Sequence, residues 1–184
     1  MTTETLTNTD IVAGTWVLEK QHTKVGFTAK HLMVTKVRGH FDEFDGTVEI
    51  ADDLIDSKIE VTIDAASINT GASDRDEHLR SGDFLDAADH PKLSFVSTEI
   101  VRDDDVFEIT GDLTIRDVTR PITLEATYEG AVTDPWGNQR IGFSARAEMN
   151  REDWGLTWNA ALEGGGWLVS KSVVLEIEGQ LIAE

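Results

Sequence analysis

The sequence contains no cysteine and only 3 prolines among its 184 residues. Without cysteine, the chain has no disulfides, thiolate metal sites, iron–sulfur clusters or thiol nucleophile. Basic residues are also scarce, with 16 Lys and Arg against 35 Asp and Glu and a formal net charge of −19. This charge repels phosphate backbones and anionic membranes. The composition therefore argues against nucleic-acid binding, and against constitutive membrane adsorption unless a local basic patch exists.

Long hydrophobic stretches are missing as well, since no uninterrupted apolar run exceeds three residues and the first cation is Lys20. A secretory signal needs a basic start and an apolar stretch of roughly 7 to 15 residues, and a transmembrane helix needs about 20. These absences predict a cytoplasmic location and no stable membrane insertion. We expect residues 1–12 to be a flexible tail, because Met1–Asp10 shows no apolar periodicity, and residues 13–184 to form a single domain.

Most of the chain instead alternates apolar and polar residues with a period of two, as in Val25, Phe27 and Ala29, which is typical of half-buried strands. Eight such runs are long, and a short one precedes them near residues 15–18. Turn residues separate the runs at 103–105, 116–117 and 134–138, and connections this short join antiparallel neighbours. Long strands that are apolar on one face predict an all-β fold, an extended eight-stranded antiparallel up-and-down barrel. Its lumen either fills with side chains or holds one small ligand.

Two segments depart from this alternation. Ser73 to Gly82 is predicted to be a short helix, with Ser73 as N-cap, Asp76 three residues later and Gly82 at the stop. Because Leu79 is its one aliphatic residue, we interpret it as a polar lid. The second segment, residues 153–166, ends in three consecutive glycines and is predicted to be a flexible loop.

Several polar residues allow two interpretations. Asp74 and His78 are four residues apart and are either an acid/base pair or metal ligands, or a solvated acidic first turn, which we favour. His31 follows the inward register, so it either ends the barrel rim beside a buried carboxylate, which we favour, or contacts a ligand's polar head. The sequence shows no phosphate-binding loop, dinucleotide fingerprint or HExxH motif, and we therefore expect no cofactor, no metal and no catalytic residue.

Several ordered segments carry a more specific signal. The first includes Gln21-His22-Thr23-Lys24-Val25-Gly26-Phe27, and the fifth includes Gly111-Asp112-Leu113-Thr114-Ile115-Arg116. The segments are 21–27 with Lys30-His31, 37–41, 73–84, 90–95, 111–121 and 150–156. With them the chain resembles, from about Gly14 to its C-terminus, the YceI family of polyisoprenoid-binding proteins.

This resemblance implies a lipocalin-like barrel whose elongated pore holds a long-chain polyisoprenoid or similar lipid, such as an isoprenoid quinone. It also implies a non-enzymatic binding or carrier role and a possible homodimer. Relatives are often exported, whereas the missing basic start and apolar stretch predict no signal peptide for this chain. Small residues at inward positions favour an open lumen, because a solid barrel needs bulk there, and these are Ala29, Ala126, Ala145 and Ala147. The predicted ligand-binding residues are Val25, Phe27, Ala29, His31, Leu79, Phe84, Phe95, Ile109, Leu124, Phe143, Ala145, Trp154 and Trp158.

The alternative that the sequence leaves open is an enzyme acting on a lipid or quinone. In that reading His78, Asp74 and His31 are its acid/base groups. The tryptophans also allow two interpretations. They either line a lipophilic cavity or plug one end of the barrel, and they are Trp16, Trp154, Trp158 and Trp167.

Overall fold

The computed structural model describes residues 11–184, which form eleven strands in one antiparallel sheet and the helix α1, Ser73–Arg80. Residues 1–10, and with them most of the predicted tail, lie outside the described residues. The strands are β1 Gly14–Leu18, β2 Lys24–His31, β3 Thr35–Phe41, β4 Phe44–Ile50, β5 Lys58–Asp64, β6 Ile68–Asn69, β7 Lys92–Asp103, β8 Val106–Ile115, β9 Val118–Thr133, β10 Gln139–Asn150 and β11 Val169–Ala183.

The sheet closes into a ring because β1 pairs with both β4 and β11. Three of the eight barrel strands consist of two consecutive segments: β1 with β2, β3 with β4, and β5 with β6. The first break shows this arrangement, since β1 pairs with the last residues of β11 while β2 pairs with its first part, Val169 to Glu178. A 3-10 turn at Lys20–His22 separates the two segments. The eight-stranded up-and-down barrel predicted from the period-two pattern is confirmed.

The turns between neighbouring strands also match the sequence signals. Ile115 pairs with Val118, so Arg116 and Asp117 form a two-residue turn, and both have positive φ, 51° and 63°. Asp104, with φ 55°, lies in the turn between Asp103 and Val106. Asp104 and Asp117 have short polar side chains that tolerate this left-handed backbone, and two-residue turns of this kind match the strand twist.

The helix α1 begins and ends differently from the prediction. Its N-cap is Ala72, which makes no side-chain capping bond, and the prediction of Ser73 as N-cap is wrong. The carboxylate of Asp76 instead accepts hydrogen bonds from the backbone N–H and the hydroxyl of Thr70, and this contact ties the helix to the end of β6. The helix stops at Arg80 because Ser81 turns to extended backbone, so Gly82 is not the stop.

Alternating strand direction places α1, the turn at 116–117, the β2–β3 connection and residues 151–168 at one end of the barrel, the helix end. A larger buried cluster, which includes Leu85, Leu113 and Trp154, occupies this end. A smaller one at the opposite end consists of Trp16, Ile50, Ile141 and Leu181. Within residues 11–184, no helix has the length and apolar character required to cross a bilayer.

Candidate functional site: the barrel lumen

A cavity of about 280 Å³ lies inside the barrel, between the two buried clusters. Every strand except β6 contributes to its wall, and members of both clusters line it, such as Ile141 at one end and Leu113 at the other. The space therefore extends along the barrel. Its volume is close to the lower bound of small-ligand sites, about 300 Å³.

The wall of this cavity is almost entirely apolar. Within residues 11–184, no charged side chain lines it, and the side-chain hydroxyls belong to Thr47, Ser57, Thr127 and Tyr128. The Ser57 hydroxyl already accepts a hydrogen bond from the backbone N–H of Ala51. An apolar wall of this kind selects ligands by surface area and shape, since it offers few directional contacts.

Inward side chains in the middle of the barrel remain partly exposed. Ile59, Ile109, Leu124 and Phe143 all point into the lumen and are half-buried, whereas cluster residues such as Trp154 are fully buried. A packed interior leaves few voids, and its side chains interdigitate. The partial exposure of inward residues is therefore the signature of a hollow barrel.

Two contacts between aromatic rings and glycine help to keep the lumen open. A Cβ placed on Gly39 would meet the ring of Phe27, its partner across β2 and β3, and one on Gly111 would meet the ring of Phe95. The tip of each ring therefore lies over wall backbone that lacks a side chain. A larger residue at either glycine would push the ring away from the wall.

The structure places about half of the sequence-predicted ligand-binding residues in the wall of the cavity. Their shared feature is an inward position on a strand of the closed ring. These residues are Val25, Phe95, Ile109, Leu124, Phe143 and Ala145.

The other predicted residues lie elsewhere. Phe27 packs against Gly39 and against Phe41, with ring centroids 5.9 Å apart. Ala29 is half-buried on β2, beyond the part of that strand that lines the cavity. The remaining ones belong to the helix end. These are His31, Leu79, Phe84, Trp154 and Trp158.

A tightly bonded group closes the helix end. Trp154 is 3% exposed, and its indole N–H donates to the carbonyl of Leu113. Arg151 is equally buried, and its guanidinium donates to the carbonyls of Ser170 and Leu156 and lies 5.9 Å over the ring of Phe84. Burial lowers the pKa of Arg151, and the negative charge of Glu152 opposes this shift. Of the two sequence alternatives for Trp154, the structure matches the aromatic plug.

The histidines and aspartate of the enzyme alternative do not form the expected pairs. His78 Nε2 lies 2.9 Å from the carboxylate of Asp83 rather than facing Asp74, and its ring makes edge contacts with Phe84 and Trp158. His31 is exposed at the end of β2, and no carboxylate among residues 11–184 pairs with it. The expectation that it meets a buried carboxylate is wrong, because the side chain of this last residue of β2 is exposed although its backbone pairs with Val169 and Thr35. None of the three side chains lines the lumen.

Charged networks lie on the outside of the barrel. Partial burial opposes ionisation of Asp134, but Arg140 Nε at 2.8 Å and the N–H groups of Asn138 and Trp136 outweigh it and lower the pKa of Asp134 to about 2. Burial likewise opposes ionisation of Glu19, yet hydrogen bonds from His22 and from backbone N–H groups lower its pKa. Both carboxylates therefore stay ionised without entering the lumen.

The sequence interpretation missed much of the cavity wall. Ile59, Val61 and Ile63 on β5 line it, as do Ile177 and Leu181 on β11. All five belong to runs with the period-two apolar pattern, so the signal was present in the sequence. Leu54 and Ile11 also line the cavity but lie outside any strand, and no pattern identifies them.

Comparison with known protein families gives one match over almost the whole barrel: residues 16–181 match the model of the YceI-like domain. The chain belongs to this family. It is 42% identical over 139 residues to Protein YceI of Escherichia coli O157:H7, an alignment that covers 75% of this chain and 73% of the relative.

Solved structures of similar shape agree with this assignment. The YCEI protein of Campylobacter jejuni is 31% identical, with a TM-score of 0.73, and the match covers 91% of this chain and 96% of that one. A polyisoprenoid binding domain from Saccharophagus degradans, implicated in plant cell wall breakdown, has a TM-score of 0.69 over 92% of this chain and 98% of that domain. At 14% identity, the second likeness concerns the fold alone.

Proposed function

We propose that this YceI-like protein binds a long-chain polyisoprenoid or similar apolar lipid in the barrel lumen and carries it without chemical change. The observation that supports this most is the hollow, uncharged wall of the cavity, with inward side chains left half-buried. Such a wall gains free energy only when an apolar chain replaces water on it.

The energetics favour a chain of several isoprene units. Burial contributes about 0.8 kcal/mol per CH2 group, so each five-carbon unit contributes roughly 4 kcal/mol. Association and ordering of the chain cost about 4 to 15 kcal/mol, and several units exceed this cost. A lumen without charged groups has no means of holding a small polar metabolite with similar strength.

The helix end supports a carrier rather than an enzyme. Acid/base catalysis needs a proton donor or acceptor within hydrogen-bond distance of the reacting atoms. His31, Asp74 and His78 lie outside the lumen wall, and His78 pairs with Asp83. A lipid in the lumen therefore meets none of these groups at the cavity wall.

Organic extraction of the purified, denatured protein followed by mass spectrometry tests the proposal. We expect one lipid class with a long unsaturated hydrocarbon chain, recovered at close to one molecule per chain. Recovery of no lipid, or only of the bulk phospholipids of the host in proportion to their abundance, would contradict it. The cytoplasmic location and the homodimer stay predictions, which cell fractionation and sedimentation velocity test.

A further inference from the structure

The connection between β2 and β3 carries exposed apolar side chains. Met33 is 59% exposed and Val34 81%, and Trp167 of the adjacent loop is 47% exposed. The loop and the connection touch, because the N–H of Leu32 donates to the carbonyl of Leu168 and Met33 contacts Gly166. Together, Leu32, Met33, Val34 and Trp167 form one exposed apolar patch, here named the hairpin patch.

The backbone of this patch makes its composition unusual. Leu32 and Met33 have positive φ values of 51° and 63°, a conformation that glycine and asparagine adopt easily and bulky residues rarely adopt. Apolar side chains thus occupy a turn whose backbone and solvent exposure both favour other residues. Exposed apolar clusters of this kind mark interaction sites.

Cations surround the hairpin patch in a strongly acidic protein. Residues 20–41 contain four lysines and one arginine and no Asp or Glu, although the whole chain has a net charge of −19. Lys30 lies directly opposite Lys36 across the hairpin, a like-charge pairing that destabilises a sheet. Lys30, Lys36 and Arg38 are exposed, and no carboxylate among residues 11–184 lies within 4.0 Å of them.

The strand and loop beside the hairpin tip carry few carboxylates, whereas the α1 side of the helix end is acidic, with Asp74, Glu77 and Asp83. Residues 154–175 carry one lysine, Lys171, and one carboxylate, Glu163. The acidic first turn of α1 contacts β6, which pairs with β3 only at His40 and Phe41, away from the tip of the hairpin. The tip therefore projects beyond β6 with apolar residues at its apex and cations behind them.

We infer that the hairpin patch docks this protein onto the surface of an anionic lipid bilayer. The apolar residues at the apex enter the headgroup region, and the lysines and arginine behind them face the lipid phosphates. These are the two attractions that hold peripheral proteins on membranes. The remaining acidic surface is repelled by the same bilayer. This repulsion, which includes that of the acidic α1 side of the helix end, orients the barrel with the hairpin tip toward the membrane and keeps the attachment reversible. The inference concerns the outer surface and holds whatever the lumen binds.

Vesicle co-sedimentation of the full chain tests this inference. The vesicles are mixtures of phosphatidylglycerol and phosphatidylcholine, or phosphatidylcholine alone, and contain no isoprenoid lipid. We expect binding to the anionic vesicles that falls as salt shortens the Debye length from about 14 Å to about 7 Å, and much weaker binding to neutral vesicles. The double variant Lys30→Glu/Lys36→Glu is expected to lower the partition coefficient by about tenfold or more, and Val34→Asp also lowers it.

Two matched variants at other positions serve as controls. Lys58→Glu reverses one charge in the same way, on an exposed lysine of β5 near the opposite end of the barrel, and is compared with Lys30→Glu and Lys36→Glu made singly. Trp136→Ala removes a side chain that is 82% exposed in the β9–β10 turn. Both are expected to bind anionic vesicles within twofold of the unchanged protein, and circular dichroism checks that all variants fold.

Three outcomes would overturn the inference. The first is equal binding to neutral and anionic vesicles. The second is a loss of binding in Lys58→Glu or Trp136→Ala as large as in the hairpin variants. The third is an absence of vesicle binding together with a dimer that Val34→Asp converts to a monomer, which would assign the hairpin patch to a second copy of this chain.

Discussion

The middle of the barrel and its helix end are built from the same alternating strands, yet one is hollow and the other is packed. In the middle, inward residues such as Leu124 and Phe143 are half-buried around the cavity. At the helix end, Trp154 and Arg151 are 3% exposed, and hydrogen bonds to backbone carbonyls satisfy their polar groups. The difference indicates that the packed end stabilises the fold, so the middle can remain open for a ligand.

The largest expected effect comes from removing one phenylalanine at each place. In protein freed of lipid, Phe84→Ala is expected to lower the free energy of unfolding by about 3 to 5 kcal/mol, because Phe84 is buried. Phe143→Ala should cost roughly half as much or less, since part of its ring already faces empty space. Chemical denaturation measures both. Equal losses would mean that the middle of the barrel is as densely packed as its end.

The second test concerns the hydrogen bonds that Arg151 makes within the packed helix end. Replacing it with methionine keeps much of the side-chain volume but leaves the buried carbonyl of Leu156 and the part-buried carbonyl of Ser170 without this donor, at an expected cost of about 2 kcal/mol. Arg151→Lys retains the charge without the planar group that reaches several carbonyls, and we expect it to be destabilised too. Thermal unfolding compares the two, and full recovery of stability in the lysine variant would show that charge alone matters.

A smaller and local effect is expected at α1. Asp76 is buried, and its carboxylate accepts hydrogen bonds from both the N–H and the hydroxyl of Thr70, so it anchors the helix to the barrel. Asp76→Ala should speed hydrogen exchange in α1 by about fivefold or more, while Asp76→Asn, whose amide oxygen still accepts, changes it less. We also expect α1 to exchange faster than the strands around Phe95 and Phe143. Exchange in α1 that is unaffected by the alanine variant would show that apolar contacts hold the helix.

The end opposite the helix should give the smallest effect, and only in acid. The folded protein lowers the pKa of Asp134 to about 2, below its ordinary value of about 4 in an unfolded chain. This carboxylate therefore contributes stability above pH 4, and the contribution is lost as the pH falls from about 4 to 2. The melting temperature of Asp134→Asn should lie below that of the unchanged protein at pH 6 and approach it near pH 2. A difference that stays constant over this range would contradict the account.

The closed barrel could be predicted from sequence because its signals are local. Alternation in runs such as Ile59, Val61 and Ile63 depends on neighbouring residues alone, and Arg116 with Asp117 forms the turn that their sequence suggests. Closure then follows from strand number and short connections.

What could not be predicted depends on contacts between distant residues. Phe27 and Val25 share a face of β2, yet Val25 lines the cavity while Phe27 packs against Gly39 of the next strand. The register between β2 and β3 places Phe27 opposite this glycine, and the local sequence does not reveal that register. The pairing of His78 with Asp83 could not be predicted for the same reason, since Asp83 follows the end of α1 and the fold brings its carboxylate close to the ring. The N-cap prediction was wrong because the Thr70–Asp76 hydrogen bonds set the start of the helix.

Two alanines distinguish a hollow middle that holds an apolar chain from one that does not. Ala145 lines the cavity, whereas Ala29 lies on β2 beyond it. Calorimetric titration of the delipidated protein with a polyprenol in detergent should give close to one molecule per chain. Ala145→Phe should abolish this binding and keep the melting temperature, because the new ring enters open space. Ala29→Phe should bind as the unchanged protein does. Full binding by Ala145→Phe, or equal loss in both variants, would contradict the account.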